Sequence, residues 1–165
     1  MKGFAELPDV VLGPLAGRPD ADWYHAPPGK WSPAQIVHHL SISVDWSSRK
    51  FEERRGRDPM SPRPRRPAEW LTRVVILGLR WIPTGFRAAQ GTWPDAHPIP
   101  AVIERQFREG IARFLALEPE LLPARRADLV VRHPRMGDLT FEEWQRFHVL
   151  HCHHHARQIR ERLPA

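Results

Sequence analysis

The sequence predicts an all-α fold, an antiparallel four-helix bundle with Pro-rich connecting loops, and three observations predict it. Two capping boxes, Ser32-Pro33-Ala34-Gln35 and Thr140-Phe141-Glu142-Glu143, each open a segment that continues without a helix breaker, to Arg55 and to Leu163. A third segment, beginning near Pro100, carries Val102, Ile103, Phe107, Ile111, Phe114 and Leu115 at roughly helical period. No stretch shows convincing strand alternation, and there is no internal repeat. At 165 residues the chain has the size of one domain, so residues 1–165 read as a single bundle.

Residues 1–31 are rich in Pro, Gly and Asp; Leu7 to Leu15 suffices for one or two helical turns, and prolines at 14, 19, 27 and 28 keep the rest irregular. Ser32 then caps, Pro33 takes the first helical position, and Ile36, Val37, Leu40, Val44 and Phe51 share a face, predicting a helix from Ser32 to about Arg55. Residues 56–67 read Gly-Arg-Asp-Pro-Met-Ser-Pro-Arg-Pro-Arg-Arg-Pro, which excludes regular structure. A second helix is expected over Ala68–Trp81, a loop from Pro83 to Pro98, and a third helix from near Pro100 to Glu118-Pro119. Between 119 and 139, Leu129-Val130-Val131 is too brief to assign, and His133-Pro134-Arg135-Met136-Gly137-Asp138 reads as a turn. The second capping box opens the last helix, which ends before Pro164.

Composition narrows the function classes. Seven Trp and seven Phe argue against general disorder despite 18 Pro. A single cysteine, Cys152, excludes an intrachain disulfide and a closed thiolate zinc site. Glu6 and Pro8 interrupt the N-terminal segment before it forms the apolar centre of a signal peptide. The most apolar stretch, Trp70 to Ile82, is broken by Arg73 and Arg80 and is too short to span a bilayer. A cytoplasmic location with no membrane partner is therefore expected. The formal charge of +6 permits nucleic acid, anionic lipid or an acidic substrate as partner and requires none of them.

Histidine is the informative residue, with four of ten inside His151-Cys152-His153-His154-His155. On a helical wheel His155 falls about 40° from His151, with Trp144, Gln158 and Phe147 on the same face and His153 opposite. Two imidazoles one turn apart can converge on a metal ion. His148 and His154, about 60° to either side, are the reserve candidates. A third ligand must come from another element. Of His38 and His39, the latter borders the apolar stripe beside Ser43 and Trp46 and is the better ligand; His38 reads as solvated or as a group behind the ligands. Two bland accounts compete: histidines that merely make local hydrogen bonds, and a purification tag, the latter disfavoured because the run is interrupted and lies inside an amphipathic helix. Cys152 projects about 100° from His151 and reads as a packed side chain. For Trp31, Trp46 and Trp144, core packing is favoured over a pocket wall.

Two motifs carry a resemblance. Gly29-Lys30-Trp31-Ser32-Pro33-Ala34-Gln35-Ile36-Val37-His38-His39-Leu40 resembles the opening of the second helix in the DinB-like, YfiT-like superfamily of metal-binding proteins, and His151-Cys152-His153-His154-His155-Ala156-Arg157-Gln158-Ile159 is similar to its closing motif. Gly137-Asp138-Leu139-Thr140-Phe141-Glu142-Glu143-Trp144 resembles the branch with Gly-x-Leu-Thr-x-Glu-Glu-Trp just upstream. The resemblance implies a four-helix bundle with a divalent metal held by three histidines, which fall on His39, His151 and His155. It departs from the family at the first helix, usually long, which Pro14 and Gly17 leave short or broken here.

Three neutral imidazoles favour zinc, nickel or iron over magnesium or calcium. Such an ion lowers the pKa of bound water or holds a thiol as thiolate. The resemblance implies the second use, since characterised relatives include S-transferases that attach a low-molecular-weight thiol to an electrophile. The leading expectation is thus a metal-dependent thiol S-transferase or hydrolase acting on a small molecule, with Gln158 orienting a ligand or substrate. A second hypothesis is nucleic-acid binding through Arg49, Lys50, Arg54, Arg55, Arg57, Arg63, Arg65 and Arg66. Glu52, Glu53 and Asp58 in the same stretch, and the lack of a reading motif, favour a solvated Arg-rich surface instead. A third is a non-catalytic dimerisation or sensing module, with a homodimer as its partner state.

Overall fold

In the computed structural model, which describes residues 3–56, 62–83, 85, 88–122 and 129–164, the chain is mostly helical. The first apolar run forms a short helix, Leu7–Leu12 (α1), between 3-10 turns at Phe4–Glu6 and Gly13–Leu15; Leu7, Val11 and Leu15 are fully buried. One further turn of helix, Asp20–Tyr24 (α2), lies where the prolines led us to expect irregular chain. Pro19 sits at its N-cap, where its carbonyl accepts the Asp22 N–H at 3.0 Å and its missing N–H does no harm, and Trp23 anchors the turn in the core.

The next helix, Pro33–Arg54 (α3), begins as its capping box dictates. The Gln35 amide N–H donates to Ser32 Oγ at 3.3 Å, and the Ser32 N–H donates to Gln35 Oε1 at 3.0 Å. The second expected helix is shorter than Ala68–Trp81. An α-helix covers Pro67–Arg73 (α4) and passes into a π turn over Val74–Gly78, which turns Ile76 and Leu77 into the core. The third, Pro100–Leu121 (α5), runs past Pro119 because the core continues to reward it: Leu121 is buried, and the Leu122 N–H closes on the Glu118 carbonyl at 3.0 Å.

The all-α expectation needs correction at residues 129–140. Val130–His133 (β1) and Gly137–Thr140 (β2) form an antiparallel hairpin, with Val131 opposite Leu139 and His133 opposite Gly137. Gly137, at φ 73°, takes the left-handed conformation that a tight hairpin connection requires. His133 closes the turn by accepting the N–H groups of Arg135 and Met136 on Nδ1. Each strand is four residues long, too short to display an alternation. The hairpin runs directly into the last helix, Phe141–Arg162 (α6), where the Glu143 N–H donates to Thr140 Oγ1 at 3.3 Å and the Thr140 N–H to Glu143 Oε2 at 3.0 Å.

Packing follows from these faces. α3 lies along α5, and α6 packs on α1 and α3. A cluster of Phe51, Phe114 and Phe141, with centroids 5.2 to 6.1 Å apart, joins α3, α5 and α6; each ring contributes about 1.5–3 kcal/mol by leaving water. The Trp144 indole N–H donates to the Val131 carbonyl at 2.9 Å and ties the hairpin to α6. Arg73 pairs with Glu143, holding α4 against the same corner. Among the described residues, no helix is long and apolar enough to cross a membrane.

Candidate metal centre

The seam between α3 and α6 carries the histidines. His39 projects from the second turn of α3 and His151 from the middle of α6, and both are buried; His155, one turn further along α6, is half-buried. Their Nε2 atoms converge. His151 Nε2 lies 3.1 Å from His39 Nε2 and 3.1 Å from His155 Nε2, and all three lie within 4.8 Å of one another. A tetrahedral ion with bonds of about 2.0–2.1 Å to imidazole separates its ligand nitrogens by roughly 3.3 Å, so the spacing suits one shared cation.

Hydrogen bonds at the far side of two rings fix which nitrogen is bare. His39 Nδ1–H donates to the Thr92 carbonyl at 2.7 Å, and His155 Nδ1–H donates to Gln158 Oε1 at 2.8 Å. With the proton on Nδ1, each Nε2 presents a lone pair to the centre, the tautomer that a metal requires. The Gln158 amide donates in turn to His154 Nε2 at 3.1 Å. His151 Nδ1 is buried without a partner among the described residues. With the His151 proton on Nδ1 as well, three lone pairs face one another, an arrangement that a shared cation stabilises. Burial drives all three pKa values down: His39 despite its bond to Thr92, His151 well below the ordinary value, and His155 to about 3. The rings are therefore neutral, and the cluster can hold a metal ion.

Aromatic rings wall the cluster. Phe147 stacks on His151 at 5.0 Å, and Trp31 lies 5.1 Å from His39 and 6.4 Å from Trp93. Trp31 is thus a half-buried neighbour of the site. Trp144 is a core residue as expected, but Trp46 is 43% exposed, because its position on α3 lies at the edge of the apolar stripe. The reserve histidines stay outside the cluster: His148 is fully buried with Nε2 2.8 Å from Ser47 Oγ, and His154 meets Gln158. His38 is not a solvated group; it is largely buried and accepts the Asp95 N–H on Nδ1 at 3.1 Å. Cys152 is fully buried, and burial pushes its thiol pKa up, so it is an inert packing residue.

Two participants were invisible to sequence reasoning. The Thr92 carbonyl is a backbone group on the 3-10 turn Gln90–Thr92, and that loop is docked by Gln35, whose amide donates to the carbonyls of Asp95 and Ala96. Trp93, on the same loop, follows it into place. The model of the DinB superfamily matches residues 4–159, a span that includes all three histidines. The chain belongs to the DinB superfamily. Comparison with curated proteins and with solved structures yields no match. The convergence of three imidazoles from α3 and α6 is what the structure adds to that membership.

Proposed function

We propose that this DinB superfamily protein is a metal-dependent enzyme acting on a small molecule, its helices forming a four-helix bundle within one domain and His39, His151 and His155 holding a divalent zinc, nickel or iron ion. The observation that carries the reading is the pair of Nδ1–H bonds, to Thr92 and to Gln158, that leave two Nε2 lone pairs aimed at His151 Nε2. When bound, such an ion supplies Lewis acidity, activating water for hydrolysis or a low-molecular-weight thiol for S-transfer. Three nitrogens leave room in the coordination sphere for that nucleophile. Trp31 and Phe147 hold the rings in place and keep the local dielectric low, and Gln158 sets the orientation of His155. Thiol transfer is the preferred reaction, and hydrolysis the alternative.

Nucleic-acid binding draws little support from the basic stretch. Arg49 pairs with Asp45, Lys50 with Glu53, Arg55 with Glu120 and Arg63 with Glu69, so much of its charge is neutralised within the chain. Arg57 lies outside the described residues.

Protein purified without a metal-affinity column should contain close to one equivalent of transition metal by elemental analysis, and His39→Ala, His151→Ala and His155→Ala should each lose it. Consumption of a small thiol with a model electrophile, dependent on that metal, would support the transferase. Metal-free wild type that also fails to take up zinc, nickel or iron would refute the proposal.

A further inference from the structure

The π turn Val74–Gly78 leads into Arg80, whose φ of 55° is the one positive value among the described residues other than glycine. That conformation costs a β-carbon-bearing residue free energy that glycine avoids, and strain of this kind concentrates at functional positions. Its effect here is to bring Arg80, with Trp81 and Ile82, to one wall of a groove of about 310 Å³. Leu150, His153, His154, Arg157 and Arg160 of α6 form the other wall. His153 and Arg160 project roughly 160–180° from His151 on the helix, so the groove opens on a different face of α6 from the three-nitrogen cluster and meets its surroundings at His154, the hydrogen-bond partner of Gln158.

Among the described residues the groove's arginines lack ion-pair partners, although the Glu161 carboxylate acts on His154 in its wall. Arg63, Arg73, Arg113 and Arg132 all have carboxylate partners, but among the described residues Arg80, Arg157 and Arg160 have none. Glu161 lies on the same stretch of α6 but does not line the groove. In the groove wall, His153 Nε2 is buried without a hydrogen-bond partner. Three guanidiniums gathered without a carboxylate repel one another unless an anion joins them, and guanidinium forks match the oxygens of a phosphate. Beside them the Trp81 ring, 58% exposed, offers a flat apolar surface.

We infer that this groove binds a small molecule bearing a phosphate monoester, the phosphate held by Arg80, Arg157 and Arg160 and its apolar body lying on Trp81. Phenyl phosphate serves as the probe, with inorganic phosphate and phosphatidylglycerol vesicles as comparison arms. Titrations use the full chain in excess chelator, so that no metal ion captures the anion. Phenyl phosphate should bind saturably at one site, and an Arg157→Ala/Arg160→Ala double variant should weaken it at least tenfold. Trp81→Ala should weaken phenyl phosphate more than inorganic phosphate, whereas Arg49→Ala, which removes an arginine paired with Asp45 away from the groove, should leave both unchanged. Because Arg157 and Arg160 are exposed, their replacement leaves the fold intact, which circular dichroism would verify. Absence of saturable binding, binding indifferent to the double variant, or association with vesicles alone would overturn the inference.

Discussion

The imidazoles of His39 and His151 meet Nε2 to Nε2 at 3.1 Å although 112 positions separate them in the chain. That contact exists only when α3 and α6 are packed side by side, so whatever occupies the cluster is coupled to the tertiary fold. Zinc at about a hundred times its dissociation constant should therefore raise the unfolding free energy by about 2.7 kcal/mol. Urea denaturation with and without zinc measures this, and His151→Ala should abolish the difference.

Gln158 acts on the cluster through His155 Nδ1. Its replacement by Ala frees that ring to rotate or change tautomer, and zinc affinity should fall about 10- to 100-fold. A chelator competition assay reads the constant directly; equal affinities in wild type and variant would show that the amide plays no part.

The α3–α5 contact depends on the absence of a side chain at Gly110. A Cβ there would lie 2.9 Å from Val44 Cγ1 and 3.2 Å from the Asp45 backbone nitrogen. Val44 is β-branched and has one comfortable helical rotamer, so it cannot easily move aside. Gly110→Ala should destabilise the protein by about 1–3 kcal/mol, outweighing the gain in helix propensity of about 1 kcal/mol. Chemical denaturation would decide the sign.

Acid should destabilise the fold through a buried histidine outside the cluster, His133, which packs on Phe147. Burial, with help from Arg135, lowers the His133 pKa from 6.5 to about 3. Between those values the unfolded chain binds a proton that the folded chain refuses, so stability rises with pH and is lost as pH falls from 6.5 toward 3. The slope attributable to this residue is at most about 1.4 kcal/mol per pH unit. His133→Asn keeps an acceptor for the Arg135 and Met136 N–H groups while removing the titration. Its stability, measured by urea unfolding from pH 7 to 4, should fall less steeply than that of wild type; parallel curves would refute the assignment.

Much of this molecule was legible in short sequence signals. The capping boxes at Ser32 and Thr140 act over four residues and fix where α3 and α6 begin, and from those starts the helical period assigns His39, His151 and His155 to inward faces. What escaped notice lacks periodicity or is not a side chain at all. α2 is a single turn, the hairpin strands have four residues each, and the π turn replaces a regular helix because tertiary burial of Ile76 and Leu77 outweighs local preference. The surroundings of His39 were hidden for another reason: the loop that supplies Thr92 and Trp93 is positioned by long-range bonds from Gln35 and His38, which no local pattern encodes.

Because the acceptor for His39 is a main-chain oxygen, exchanging the side chain at position 92 does not delete it. The tilt of that ring is governed by the course the polypeptide takes between α4 and α5, and so by the length of that connection and by what anchors it. Insertions, deletions and altered anchors there are the changes that would redirect that ring, while at position 92 the side chain matters only through its own bond to the Ala89 carbonyl, which braces the turn.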